Sequence, residues 1–177
     1  MGDYMQVKSL ISFYRIFFIF FIICMSGCGY KPMSYYANQA LGEKVHVELI
    51  VNLENPEESV KIKDMVNEAI VSRFHSRVVN RSEADSILTV DVQNIQDTII
   101  GTNTQGIATF YRVFLNISFS FKRNDKKFNF VNQGYYDYAA SLNSPTITYE
   151  NRSNAIIEAA RQSLDRFISQ IGYSASF

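Results

Sequence analysis

A two-layer α+β sandwich is the fold this 177-residue sequence predicts, with two amphipathic helices on one face of a mostly antiparallel, mixed sheet of about four strands. Three observations carry that expectation. Two segments, from Pro56 and from about Asn151, repeat apolar residues at helical spacing; several others alternate with the period of a strand; and the order reads β-α-(short β)-β-β-β-α. Each helix has a single stripe and the sheet one strongly apolar face, so they bury one another best with both helices on the same side. The other face of the sheet is then left open.

The first strand spans Val45 to Val51, where Val45, Val47, Leu49 and Val51 face one way and His46, Glu48 and Ile50 the other. Asn55-Pro56-Glu57-Glu58 opens the first helix: Asn55 can cap, Pro56 suits the first turn, and the acids favour the positive helix end. Ile62, Met65, Val66, Ala69, Ile70 and Phe74 form its stripe. Val78-Val79 reads as a short strand. From Ile87 to Ile95, Leu88, Val90 and Val92 oppose Thr89, Asp91 and Gln93. Gly101 to Gly106 is rich in turn formers and reads as a loop.

The longest alternation follows. Tyr111, Val113, Leu115, Ile117, Phe119 and Phe121 share one face; Phe110, Arg112, Phe114, Asn116, Ser118 and Ser120 share the other. Arg123-Asn124-Asp125-Lys126 turns the chain, and Phe128 to Tyr138 returns as an antiparallel partner. Leu142 to Glu150 reads as a surface loop. The last helix runs from about Asn151 to Ile171, with Ile156, Ala159, Ala160, Ser163, Leu164, Phe167, Ile168 and Ile171 inward.

The beginning of the chain differs from the rest. Lys8 and Arg15 precede a wholly apolar run, Ile16 to Cys24, which as a helix rises only about 14 Å, less than half of a roughly 30 Å hydrocarbon core. A basic start, a short apolar core and small residues before a cut make an export signal. Met25-Ser26-Gly27-Cys28 resembles the lipobox of bacterial lipoproteins, with Met where Leu is usual; the resemblance implies cleavage before Cys28 and acylation of its thiol. The predicted organisation is therefore a signal peptide over 1–27, a lipidated tether over 28–44, one domain over 45–171 and a tail over 172–177. Cys24 leaves with the signal, so the mature domain keeps no free thiol and no disulfide.

Composition narrows the function. The formal charge is zero and the mature part keeps 15 bases against 16 acids, whereas a nucleic-acid binder carries a basic excess. His46 and His75 are the only histidines, and neither has a Cys, Asp or Glu partner at metal-ligand spacing. No nucleophile elbow or phosphate-binding loop occurs. The expectation is a protein that is not an enzyme and uses no cofactor. Two surface features remain. Phe110, Arg112, Phe114 and Asn116, on the open face, are candidates for partner binding, because exposed aromatics and Arg are enriched at interaction hot spots. Lys122, Arg123, Lys126 and Lys127 gather at a hairpin tip and are candidates for an anion contact, lipopolysaccharide included.

In its residues the chain resembles the lipopolysaccharide-assembly lipoprotein family, the LptE-like plug subunit of the outer-membrane translocon. The resemblance begins at Cys28-Gly29-Tyr30 and continues through the strand at Val45, the capped helix from Pro56 and the hairpin from Ile107. It ends with Tyr135-Tyr136-Asp137-Tyr138 and the closing helix. It implies a partner, an LptD-like β-barrel, whose lumen the lipoprotein occupies, and a place on the periplasmic side of the outer membrane; Gly29, rather than Asp, after the lipidated cysteine resembles outer-membrane sorting. Wet, polar barrel interiors suit the open polar face. The chain departs from the family in having no Lys or Arg in Gly101 to Gly106 or Leu142 to Tyr149, which weakens the case for lipopolysaccharide contact there. The rival reading is a lipid-anchored adaptor of another envelope machine, for transport or wall synthesis.

Overall fold

The computed structural model describes residues 40–50, 56–123 and 126–174; the expected export signal, Cys28 and the expected tether up to residue 39 lie outside them. Strand β1 is Lys44–Ile50, helix α1 Pro56–Ser72, β2 Arg77–Val78, β3 Ser86–Thr102, β4 Ala108–Arg123, β5 Lys126–Ala139 and helix α2 Pro145–Ser174, with a short 3-10 turn at Arg81–Glu83. The sheet has five strands in the order β2-β1-β3-β4-β5. β1 is parallel to both neighbours, as the crossover through α1 requires, while β3, β4 and β5 form an antiparallel meander. The class is the α+β sandwich expected, with five strands rather than about four.

Alternation decides which face is buried. On β4, Val113, Leu115, Ile117, Phe119 and Phe121 are all buried against the helices, with Leu88, Val90 and Val92 beside them on β3. The α1 stripe supplies Ile62, Val66, Ala69 and Ile70, with Met65 partly buried at its margin and Phe74 just past the helix end, and α2 supplies Ile156, Ala159, Ala160, Leu164, Phe167, Ile168 and Ile171. Phe167 stacks on Phe119 at 4.4 Å between ring centroids and meets Phe130 edge-on at 5.8 Å. Leu41, in the segment read as tether, is also fully buried.

Several boundaries differ from expectation. β2 is Arg77–Val78 rather than Val78-Val79. β3 runs on to Thr102 instead of stopping near Ile95, because register shifts between Val92 and Asn94, and again between Ile99 and Thr102, reset the alternation. The supposed loop Gly101–Gly106 shrinks to a tight turn, in which Asn103 Oδ1 accepts the N–H of Gln105 and of Ile107, each at 3.0 Å. Helix α2 starts at Pro145, so most of the segment read as a loop is helical. Ser144 precedes Pro145 at the helix start and its Oγ accepts the Ile147 N–H at 3.4 Å, while the first turns bury nothing and so show no apolar stripe.

α2 lies so close to β5 that a Cβ at Gly134 would sit 1.8 Å from the Ala159 carbonyl oxygen. Its polar side chains also engage the β5 backbone: Ser163 donates to Asn132 O at 3.0 Å, Asn151 to Ala139 O at 2.9 Å, and Arg166 to Gln133 O. The last strand of the sheet is thus covered rather than left as an open template.

Candidate functional site

The face of the sheet turned away from the helices carries the candidate residues. Cross-strand register sets Phe110 between Gly101 and Ala139, Arg112 between Thr98 and Asp137, Phe114 between Gln96 and Tyr135, and Asn116 between Asn94 and Gln133. All four residues lie on this face, in one row along β4. Phe110 is 53% exposed; Arg112, Phe114 and Asn116 are partly buried by their neighbours.

The partners on β5 turn the row into a cluster. Arg112 grips Asp137 with both ends of its guanidinium, Nε to Oδ1 at 2.6 Å and Nη2 to Oδ2 at 2.9 Å. That contact holds the Asp137 carboxyl below the usual carboxylate range and pushes the guanidinium further up. The same guanidinium lies 4.8 Å from the centre of the Tyr135 ring, and Phe114 meets Tyr135 at 6.1 Å. A planar cation held between a carboxylate and an aromatic ring is preorganised, so less side-chain freedom is lost when a partner docks. Tyr135, Asp137 and the exposed Val131 were not singled out from the sequence. Only the register of β5 against β4 places them here, and the alternation of Tyr135-Tyr136-Asp137-Tyr138 was the available signal.

Toward the β4–β5 turn the face becomes polar. Ser118 is buried, with its Oγ donating to Asn129 Oδ1 at 2.8 Å. Lys122 and Lys127 are cross-strand neighbours and both exposed; Arg123 and Lys126 are paired at the last position of the hairpin before the turn. The basic turn and the aromatic row thus share a strand pair without sharing a site, since Phe114 and Lys122 are eight residues apart, about 27 Å along the strand. Cys28 lies outside the described residues.

His46 Nδ1 is 2.9 Å from Val79 O, a contact that ties β1 to the segment after β2. His75, with a φ of 54°, makes the turn after α1. Among the described residues, no group of three or more His, Cys, Asp or Glu is placed to hold a metal ion, and no helix is long and apolar enough to cross a membrane.

Comparison with solved structures shows the same fold in bacterial chains designated lipoproteins. A Caulobacter crescentus chain designated a lipoprotein superposes with a TM-score of 0.55 at 10% identity, over 81% of this chain and 95% of that one. A lipoprotein B from Nitrosomonas europaea superposes with a TM-score of 0.50 at 12% identity, over 84% and 94%. No curated protein matches in sequence. The family model described as LptE, lipopolysaccharide-assembly, matches residues 43–171, from the start of β1 almost to the end of α2, and the chain therefore belongs to that family.

Proposed function

We propose that this member of the lipopolysaccharide-assembly family is a lipid-anchored, non-enzymatic subunit held by Cys28 on the periplasmic side of the outer membrane. There it assists assembly of an LptD-like β-barrel, plugs its lumen, and so serves insertion of lipopolysaccharide into the outer leaflet. One observation carries the reading: among the described residues, one whole face of the sheet is left uncovered by α1 and α2. That face combines a polar ground with the Phe110, Arg112, Phe114, Tyr135 and Asp137 cluster. A wet barrel lumen needs such a surface, polar enough to stay hydrated when alone and aromatic enough to be held in place. The basic turn offers a separate contact for a phosphate-bearing lipid.

The double substitution Phe110→Ser with Phe114→Ser tests it. Both rings lie outside the core, so the domain should keep its circular dichroism spectrum and melting temperature, while co-purification of the barrel from outer membranes should fall at least about tenfold, the scale of losing one or two hot-spot residues. Folding together with normal barrel capture would move the plug surface elsewhere. Recovery of an inner-membrane complex instead of a barrel would favour an adaptor of another envelope machine.

A further inference from the structure

The two ends of the sheet differ in charge. At one end β1 and β3 begin, running parallel, and β4 passes into β5. That end collects Lys44 paired with Arg77, Lys122 paired with Lys127, and Arg123 paired with Lys126. The acids of the described residues there are Glu43, Glu83 and Asp85; Asp85 Oδ2 accepts the Lys44 N–H at 2.9 Å. At the other end, Thr98 to Tyr111 and Ala139 to Tyr149 contain no charged residue, and Ile99, Ile100, Ile107, Leu142 and Ile147 are exposed. Of the charges near that end, Asp97 pairs with Arg152, Arg112 with Asp137 and Glu57 with Lys61, while Tyr149 Oη donates to Glu57 at 3.5 Å and Glu58 and Glu150 add further acid, so no basic excess stands there. β3 alone spans about 56 Å between the two ends, several times the roughly 8 Å over which a surface charge acts in physiological salt. Only one end at a time can therefore sense a charged surface.

The described chain begins at the basic end, with Ala40 to Lys44. Residues 28–39 number twelve and can span at most about 40 Å. The geometry points to a second membrane contact beyond the anchor: the basic end, through Lys44, Arg77, Lys122 and Lys127, docks on the anionic phospholipid headgroups of the leaflet that holds the acylated Cys28. This inference rests on the proposed anchor. The contact adds little to membrane attachment, which the acyl chains already provide. Its effect is orientation. It sets the sheet upright on the leaflet, with the end that exposes apolar residues and has no basic excess carried away from it, and it assigns the basic turn to phospholipid phosphates rather than to lipopolysaccharide.

The acylated full-length protein, reconstituted in vesicles, tests this. After processing and acylation no thiol remains, so Asn129→Cys, beside the turn, or Thr104→Cys, at the far end, each accept one fluorophore. Vesicles of phosphatidylcholine, alone or with phosphatidylglycerol, carry the same fraction of a headgroup quencher. Quenching at position 129 should rise with phosphatidylglycerol and lose at least about half of that rise in 0.5 M salt or in Lys122→Glu with Lys127→Glu. Lys122→Gln with Lys127→Gln should lie between, and position 104 should stay unquenched throughout. Equal quenching at 129 with and without phosphatidylglycerol overturns the inference. So does a rise that appears only when lipopolysaccharide is added to the vesicles. Flotation of the same samples separates the two readings: protein that fails to float with any vesicle refutes the anchor, and the orientation with it, whereas protein that floats with salt-insensitive quenching refutes the orientation alone.

Discussion

At the scale of single residues, two positions constrain the fold beyond what their identity suggests. Gly134 sits in a strand with no positive φ recorded for it, so its need is space and not backbone freedom. Any Cβ there meets the Ala159 carbonyl and forces α2 off the sheet. Gly134→Ala should cost about 3 kcal/mol or more, at the upper end of overpacking penalties, read by urea denaturation; a loss under about 1 kcal/mol would mean that α2 can shift freely. Tyr138 is the second. Burial, then the hydrogen bond its hydroxyl donates to Asp97 at 2.9 Å, hold its pKa well above the usual value near 10. A folded-state pKa raised above the unfolded one contributes stability in full below pH 10, and that stability is lost as pH climbs toward the raised value. Denaturation at pH 8 and pH 11 should show the parent losing stability across the interval and Tyr138→Phe losing less. At pH 8 that variant should be weaker by about 1–2 kcal/mol for the missing bond.

At the scale of elements, α2 does most to position the open face without touching it. Its inner stripe closes the core, and its polar side chains hold the β5 backbone, so the register that sets Tyr135 beside Phe114 is kept from both sides. Phe167 joins the stripe to the β4 and β5 aromatics, and Leu115 lies at the centre of β4 with no exposure. Phe167→Ala and Leu115→Ala should each lower stability by about 2–5 kcal/mol in thermal or chemical denaturation, as large-to-small core changes do. The stripe and the alternation were legible because helix and strand periods differ. The extension of β3 and the first turns of α2 were not. A bulge adds a residue and breaks the period, and helical turns that bury nothing have no stripe to read, although Ser144-Pro145 marked the helix start.

At the scale of the whole molecule, the described domain has one sheet face for its core, one face that α1 and α2 leave open, and two ends of different charge. The described chain begins at the basic end, with Ala40 to Lys44. Cys28→Ala should abolish acylation and cleavage at that position, and mass spectrometry of the amino terminus checks it: an unmodified Cys28 in protein recovered from membranes would end the lipoprotein reading. The candidate site was half legible. Phe110, Arg112, Phe114 and Asn116 follow from the alternation of β4 alone, whereas Tyr135 and Asp137, which hold Arg112 in place, depend on strand pairing.

Local order was enough to determine the class of the fold, the inner face of each element and the resemblance to the lipopolysaccharide-assembly family, because periodicity and capping act between residues a few positions apart. The register of β5 on β4, the seating of α2 against Gly134, the salt bridge of Arg112 with Asp137 and the gathering of bases where β1 begins were decided only by the tertiary structure. The hairpin register pairs residues up to 29 positions apart and the other three join residues 25 to about 80 apart, and no short-range pattern records which of the many polar and aromatic residues on two strands will face one another. Pairing across a sheet is chosen by the whole core closing at once, since a slip of one residue would turn every buried side chain of β4 out to the open face.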